Sequence, residues 1–453
     1  MYRSPPGARG FALTIGLLGG GLILAFIVGL LAYWGLQAAF PRPFDNPWPG
    51  YLTLFFTAVA YIPMLVVMGR RFPYITDWYY LLPAILFLLA FTVYPIFLTV
   101  YYGFTNYNGV NANNAPDRAS EVQVVGLQGR TLTLSEDPTA KFRCEERGGC
   151  AGLRLELTAE NNRASATIAR VEGTTVELTA APNFTPTLAY RINDVQFIGF
   201  GNFARIFSQA GTILWPVFVW NIIFAFFAVA TNAVVGLILG LMLNNKNLAL
   251  RGFYRTILII SWAMPAVISF QIWSAMLNVQ FGPINRFLGL LGSYPIPWLT
   301  DPEWAKVAVL LVNIWLGFPY WMTATLSALS TIPDDVYEAA KIDGASPAQT
   351  LVGITLPLLR QPFMPLLLGS FAYNFNNFGL IFLLTAGGPA AEGRPSTAQS
   401  TDILISWAYK TAFQADGGQA WGLGGAISVI IFVITVGISL INFRVTGALK
   451  EVR

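Results

Sequence analysis

Residues 212–243 read TILWPVFVWNIIFAFFAVATNAVVGLILGLML, a stretch without a single charged side chain. A helix that crosses a bilayer needs about 20 consecutive, mainly apolar residues, so this stretch is long enough to span a membrane. The rest of the chain has a similar character, because 55% of all residues are hydrophobic and 11% are charged, with a mean hydropathy of +0.56. An average soluble domain has about 25% charged residues. The sequence therefore predicts a polytopic membrane protein.

Seven other segments have the length and composition of a spanning helix. They are residues 11–36, 51–69, 79–101, 256–277, 305–329, 363–386 and 421–443. The first exceeds the apolar core of a signal peptide, about 7–15 residues, and no small-residue cleavage site follows it, so we expect a retained helix. We predict an all-α polytopic fold of about eight transmembrane helices, with two of them in residues 1–78 and a third in 79–104.

The distribution of Lys and Arg predicts the orientation of the chain. An even number of spans puts both termini on one side, and short loops rich in Lys and Arg mark the cytoplasm. The loops and tails on the terminal side carry Arg3, Arg9, Arg70, Arg71, Lys246, Arg251, Arg255, Lys341, Arg360, Arg444, Lys450 and Arg453. The opposite short loops carry Arg42, Arg286, Lys306, Arg394 and Lys410. We therefore expect a multi-pass protein of the plasma (inner) membrane with both termini in the cytoplasm.

A polar insertion occupies residues 105–202, between the third and fourth predicted spans. It contains alternating runs such as VQVVGLQGRTLTLSED and LRLELTAE, separated by Gly, Asn and Pro. These are strand signals, and they predict a small β-rich extracytoplasmic domain. The two cysteines of the chain, Cys144 and Cys150, both lie here. In an oxidising external compartment a disulfide between them is favoured over the alternative of two unlinked surface thiols.

Several kinds of chemistry are absent from the sequence. There is no histidine, which excludes His-based catalysis and His-ligated metal sites, and we predict neither a catalytic residue nor a metal site. There is no G-x-x-x-x-G-K-[ST] phosphate loop, so the chain itself should not hydrolyse ATP. No predicted span contains Asp or Glu, which argues against a proton-coupled carrier. Loop orientation accounts for the net charge of +4, and no nucleic-acid partner is expected.

One polar loop lies between the sixth and seventh predicted spans. Residues 333–357 read PDDVYEAAKIDGASPAQTLVGITLP. Asp335 and Glu338 have capping-box spacing, which predicts a helix that begins near Val336 and ends where Gly344 provides a C-terminal cap. Ser346 then starts a second helix that ends at Pro357, with Pro347 and Gln349 in favourable positions. An amphipathic loop at the membrane surface and a docking site for another protein are both compatible with this pattern.

The spacing within this loop resembles a known signature. Glu338-Ala339-Ala340, followed by Asp343-Gly344-Ala345 and then by Ile354 and Leu356-Pro357, is similar to the EAA motif of ABC-importer membrane subunits. The resemblance implies that the loop docks onto a cytoplasmic ATPase as a coupling helix. It assigns this docking role to Glu338, Ala339, Ala340, Asp343 and Gly344.

The resemblance extends over roughly residues 79–453. LLPAILFLLAFTVYPIFLTVYYGFTNY, FIGFGNFARIF, VNIWLGFPYWM and SFAYNFNNFGLIFLLTAGGP are similar to segments of sugar-importer permeases, in particular to the larger, eight-span subunit of the maltose/maltodextrin type. Residues 203–453 would then be the permease core, with the coupling loop at about 333–360. The insertion, about a hundred residues, is shorter than in the best-known enterobacterial members.

Two predicted spans carry uncharged polar residues on one helical face. Ser370, Asn374 and Asn377 are spaced i, i+4 and i+7, and Asn313, Gly317 and Tyr320 have similar spacing. Such amides either bridge helices or contact a neutral, hydroxyl-rich ligand such as a sugar. The family resemblance favours ligand contact and assigns it to Asn313, Leu316, Gly317, Tyr320, Ser370, Asn374 and Asn377.

The sequence and the resemblance together suggest one membrane subunit of an ATP-driven importer for maltose, maltodextrins or related α-glucosides. The resemblance implies four partners: a second homologous permease, an ATPase dimer that binds ATP and Mg, an extracytoplasmic sugar-binding protein and the sugar. No cofactor is expected on this chain, which would also contact the lipid bilayer. One alternative is a secondary sugar carrier driven by an ion gradient. Another is a membrane-tethered enzyme or sensor, although the acids Glu145, Glu146, Glu156 and Glu160 form no recognisable site.

Overall fold

The structure is a computed structural model. It describes residues 7–39, 49–72, 76–109, 111, 116–144, 149–160, 162–245, 247–415 and 419–446. The chain divides into two units, residues 1–97 and 98–453. Several residues named in the sequence analysis lie outside the described residues: Arg3, Arg42, Glu145, Glu146, Lys246, Lys450 and Arg453.

Four helices form the N-terminal part of the chain. They are α1 (Gly7–Ala39), α2 (Pro49–Arg71), α3 (Thr76–Leu88) and α4 (Tyr94–Gly103), and a π-helical turn at Leu89–Val93 joins the last two. Helices α1 and α2 pack closely where Gly29 faces Thr57, because any Cβ at Gly29 would overlap the threonine side chain. The hydroxyl of Tyr61 also donates to the carbonyl of Leu18 at 2.9 Å. This pair is a helical hairpin with a hydrogen-bonded interface.

The polar insertion is a closed six-stranded barrel, which confirms a β-rich domain there. Its strands are β1 (Pro116–Gln128), β2 (Thr131–Leu134), β3 (Arg154–Ala159), β4 (Asn162–Glu172), β5 (Thr175–Leu178) and β6 (Leu188–Ile192). They are ordered β1-β2-β5-β4-β3-β6, every adjacent pair is antiparallel, and β6 pairs with β1. Alternating residues such as Leu132, Leu155 and Val176 point inward and are fully buried, as expected for strands with one solvated face.

The barrel carries a cross-link on its connecting segment. A short helix, α5 (Pro138–Lys141), follows β2, and Asp137 caps it by accepting a hydrogen bond from the Thr139 amide. A disulfide then joins Cys144 to Cys150, and both cysteines are buried with the barrel core.

The remaining helices form the core around the site. They are α6 (Gly201–Ser208), α7 (Trp215–Asn244), α8 (Arg251–Ala263), α9 (Ala266–Met276), α10 (Pro283–Leu290), α11 (Pro302–Leu329), α12 (Asp334–Ile342), α13 (Pro347–Thr350), α14 (Leu356–Phe375), α15 (Phe378–Thr385), α16 (Leu404–Phe413) and α17 (Trp421–Thr446). Two further π-helical turns, Ala210–Leu214 and Leu351–Thr355, lead into α7 and α14.

Eight spans are not confirmed. Six helical segments among the described residues are long and apolar enough to cross a membrane: Gly16–Gly35, Pro83–Gly103, Ala210–Asn244, Pro302–Leu329, Pro347–Phe375 and Trp421–Ile441. The pair α8 and α9 could be a seventh, but it bends by 94° at Met264-Pro265 rather than forming the straight helix predicted over 256–277. Pro265 has no amide hydrogen to continue the helical hydrogen bonds, which explains the break. Helix α2, which covers the predicted second span, is not among these segments.

The predicted seventh span is wrong in its boundaries. Helix α14 ends at Phe375 instead of continuing to residue 386, and α15 begins at Phe378. The side chain of Asn221 on α7 donates to the Phe375 carbonyl at 3.0 Å and accepts from the Leu404 amide at 2.9 Å. Asn377 accepts from the Leu380 amide and caps α15. Side-chain amides thus satisfy the backbone groups that the break exposes.

Candidate functional site

A cavity of about 640 Å³ lies within the core helices. Residues from α7, α8, α9, α11, α14 and α15 line it, together with residues of the short connections between them. Its size falls within the range of about 300–1,000 Å³ that is usual for small-ligand sites. All seven residues predicted to contact a ligand line this cavity: Asn313, Leu316, Gly317, Tyr320, Ser370, Asn374 and Asn377.

The cavity wall is uncharged and has separate polar and aromatic parts. Among the described residues that line it, none is an Asp, Glu, Lys or Arg. Tyr373 is 71% exposed and Trp262 is 55% exposed, and the Trp262 ring lies edge-on to Tyr320 at 6.5 Å between centroids. Neutral amides beside exposed aromatic rings can bind a neutral molecule that has both hydroxyl groups and apolar faces.

Three buried asparagines form a hydrogen-bonded chain along the polar side, which we call the amide relay. Nδ2 of Asn232 donates to Oδ1 of Asn313 at 2.7 Å, and Nδ2 of Asn313 donates to Oδ1 of Asn374 at 2.8 Å. Nδ2 of Asn374 then donates to the carbonyl of Ser370 at 2.9 Å, within its own helix. The relay joins α7, α11 and α14, so these amides do bridge helices while also lining the cavity.

Because α14 ends at Phe375, the predicted helical face of Ser370, Asn374 and Asn377 is divided between two helices. Ser370 and Asn374 lie on α14, whereas Asn377 is the N-cap of α15, so the three residues do not share one continuous helix. They nevertheless line the same cavity because the chain turns at Asn376-Asn377 and keeps Asn377 beside the end of α14.

Asn232 was not anticipated from the sequence. It is 3% exposed, and Gly317 on α11 packs directly against its amide, since a Cβ at Gly317 would overlap that group. The sequence does contain one signal for Asn232, since it is an amide inside a long apolar helix. Such an amide must find a hydrogen-bond partner within the protein. The spacing rule on a single helix could not reveal a partner that lies on another helix.

The predicted coupling loop, residues 333–357, forms two helical segments joined by a glycine bend. Helix α12 begins at Asp334 after Pro333, and no side chain caps it, so the predicted capping box at Asp335 is wrong. At its end Gly344 has φ of 76°, its amide donates to the Lys341 carbonyl at 3.2 Å, and the Ala345 amide donates to the Ala340 carbonyl at 2.9 Å. This pair of bonds is a Schellman motif, which favours glycine at the left-handed position.

The second helical segment begins at Ser346 as predicted but extends beyond its predicted end. Ser346 and Gln349 form a reciprocal capping box, with Pro347 in the first turn. The segment does not end at Pro357, because a π-helical turn connects it to α14. Pro357 lies in the first turn of α14, where the missing amide hydrogen of proline costs no intrahelical hydrogen bond. The loop is therefore continuous with a helix that lines the cavity.

Four of the five predicted docking residues are exposed, namely Glu338, Ala339, Asp343 and Gly344. Ala340 is only 7% exposed, so it is not available to a partner in this conformation. It shares a helical face with Tyr337, whose hydroxyl lies 3.4 Å from that of Thr355 on the π-helical turn. Ile342, which is 85% exposed, is the largest apolar side chain on the outer surface of this helix.

A buried ion pair joins α16 to the segment that precedes it. Nζ of Lys410 on α16 is 2.6 Å from Asp402, and it also donates to the Ala386 carbonyl at 3.1 Å. The Gln399 amide and the Ser406 hydroxyl donate to the same carboxylate at 2.6 and 2.7 Å. Burial raises the pKa of Asp402, and the adjacent Lys410 opposes this effect. Lys410, predicted as an ordinary loop charge, therefore holds the segment between α15 and α16 in place.

Most of these features lie in one segment with known relatives. Residues 232–447 match a family model described as the binding-protein-dependent transport system inner membrane component. This segment is similar to the members of that family. It contains the three asparagines of the amide relay, the predicted coupling loop and the buried ion pair.

Individual relatives are similar to this chain over a comparable stretch. The maltose/maltodextrin transport system permease protein MalF of Escherichia coli K12 is 41% identical over 251 residues, 55% of this chain and 49% of that protein. MalF of Photorhabdus laumondii is 42% identical over 279 residues, 61% of this chain and 52% of that protein. MalF of Vibrio parahaemolyticus is 44% identical over 258 residues, 56% and 49% of the two proteins. The chain thus spans about half the length of the curated relatives that it matches.

A solved bacterial ABC transporter involved in the import of alginate is also similar, at 22% identity and a TM-score of 0.49. That alignment covers 55% of this chain and 84% of the other. The likeness is too low to decide the fold.

Proposed function

We propose that this chain is a membrane-spanning subunit of an ATP-driven importer for maltose, maltodextrins or related α-glucosides. The observation that carries the proposal is that one family-matched segment holds both an uncharged amide cavity and an exposed coupling loop. The MalF relatives favour a maltose-type substrate. Neither the comparisons nor the uncharged cavity supports the ion-gradient carrier, and the tethered-enzyme alternative has no site among the described barrel residues.

The proposed complex contains further subunits. A second permease would complete the translocation path, an extracytoplasmic binding protein would deliver the sugar, and an ATPase dimer would bind ATP and Mg. The family description, which names binding-protein-dependent transport, supports the delivery protein. We place both termini in the cytoplasm, on the same side as the coupling loop, because Lys and Arg predominate there.

Transport would follow from the continuity between the loop and the cavity. Closure of the ATPase dimer would move α12, and the rigid turn at Gly344 and the π-helical turn would transmit this motion to α14. Ser370 and Asn374 lie on α14, so the same motion would change the cavity. A sugar that binds one conformation more tightly would then be released when the ATPase dimer opens.

Energy coupling tests the proposal directly. The full chain, purified with its associated subunits, is reconstituted into proteoliposomes, and uptake of labelled maltose is measured with the sugar-binding fraction present. We expect uptake with ATP and Mg at the ATPase side, and none with a proton or sodium gradient alone. Gradient-driven uptake without ATP would contradict the proposal. Asn313→Leu should abolish most uptake, whereas Thr231→Val, at a half-buried position on α7 that does not line the cavity, should not.

A further inference from the structure

The direction of the amide relay is set by a backbone group. A peptide carbonyl can only accept hydrogen bonds, so the Ser370 carbonyl requires the amino end of the Asn374 amide to face it. The oxygen of Asn374 must then accept from Asn313, whose own oxygen in turn needs a donor. Among the described residues, Nδ2 of Asn232 fills this position, at 2.7 Å. Reversing one amide would therefore place two acceptors against each other.

The oxygen at the far end of the relay has no partner in the part of the chain that the structure describes. Oδ1 of Asn232 is buried and makes no hydrogen bond with any described residue. An unpaired buried acceptor is unfavourable, and an apolar side chain of similar size would avoid that loss. Gly317 also leaves room for this particular amide. Packing alone therefore gives no reason for asparagine at position 232, whereas the need for a donor does.

The relay also determines which hydrogen-bonding groups remain available to a ligand. A side-chain amide has two N–H donors and two acceptor positions. Asn313 and Asn374 each use one donor and one acceptor position within the relay. Each amide therefore keeps one donor and one acceptor position for a ligand. A hydroxyl group both donates and accepts, which makes it the complement of such an amide.

We infer that Asn232 is a positioning residue for the ligand site: as the terminal donor, it holds the Asn313 and Asn374 amides in the orientation that receives ligand hydroxyls. The identity of that ligand as a sugar rests on the proposed function. Asn232 itself need not contact the ligand, because its effect passes through Asn313.

Two substitutions that remove the interacting amides test this inference. Asn232→Leu removes the terminal donor, and Asn313→Leu removes the amide that accepts from it. Thr231→Val is the matched control at the neighbouring position.

The first readout is ATP-driven uptake of maltose by the reconstituted complex, with each variant expressed relative to the unsubstituted chain. We expect the KM of Asn232→Leu to rise about tenfold, the effect of one unpaired buried acceptor, with little change in maximal rate. Thr231→Val should leave the KM unchanged. An unchanged KM in Asn232→Leu, or an equal rise in Thr231→Val, would overturn the inference.

The second readout is the apparent melting temperature of each complex without sugar. It separates this inference from the proposed function, because it tests the relay even if the unsubstituted chain transports no maltose. Asn232→Leu combined with Asn313→Leu should lower the melting temperature by less than the sum of the two single changes, because the acceptor that Asn232→Leu leaves unpaired is then also removed. Strictly additive losses would show that the two amides do not act as a pair, and would overturn the inference.

Discussion

Removing Lys410 should destabilise the core strongly, because it leaves Asp402 buried without its partner. Asp402 is fully buried, and the Lys410 side chain is only 7% exposed. Breaking a buried ion pair by removal of one member typically costs about 3–5 kcal/mol. The Gln399 amide and the Ser406 hydroxyl still donate to the carboxylate in Lys410→Met. These bonds place the expected loss near the lower limit, about 3 kcal/mol.

The assay is equilibrium unfolding of the purified chain in detergent, monitored by circular dichroism during denaturant titration. Without Lys410 the pKa of Asp402 should lie further above its unfolded value, so protonation favours the folded state. The deficit of Lys410→Met should therefore shrink as pH falls through that raised pKa. Asp402→Asn combined with Lys410→Met should recover part of the stability.

A surface ion pair provides the control. Lys141 lies 3.4 Å from Glu136 on the barrel, and these side chains are 41% and 58% exposed. Such pairs contribute about 0–1 kcal/mol, so Lys141→Met should have little effect. If Lys410→Met lost no more stability than Lys141→Met, the account of the buried pair would be refuted.

Three other predictions concern the glycines and the disulfide. Gly344→Ala should reduce ATP-driven uptake, because a non-glycine residue at φ of 76° costs about 1–2 kcal/mol, whereas Gly344→Asn should retain more activity. Gly317→Ala should lower thermal stability by about 1–3 kcal/mol and raise the KM for maltose, since the new methyl group overlaps the Asn232 amide. Replacing Cys144 and Cys150 by serine should destabilise the barrel by about 2 kcal/mol, detected as faster proteolysis of that domain with the membrane helices intact.

Hydrophobic pattern and residue type were sufficient to predict much of this architecture. Alternation in the insertion predicted a β-rich domain. The spacing of Asn313, Gly317 and Tyr320 placed them on one face of α11, and all seven predicted ligand-site residues line one cavity. The turn at Gly344 was also predictable, because local backbone geometry requires glycine there. These signals are all carried by neighbouring residues in the sequence.

Features that depend on distant contacts were missed. The end of α14 at Phe375 is stabilised by Asn221, more than a hundred positions earlier in the chain, and no local pattern marks that contact. Lys410 resembles an ordinary loop charge until Asp402 is placed beside it. Asn232 likewise acquires its role only when α7 meets α11. A hydropathy average cannot separate a paired polar group from an unpaired one.

The most direct test of the account is ATP hydrolysis by the complex that co-purifies with this chain from its host membranes. The account predicts a stoichiometric ATPase whose activity maltose stimulates in the presence of the sugar-binding fraction. Gly344→Asp in the coupling loop should abolish the stimulation, while Gly353→Ala, at an open position on the following turn, should preserve it. A chain that purifies without an ATPase, or stimulation that survives Gly344→Asp, would contradict the claim that this loop couples ATP hydrolysis to transport.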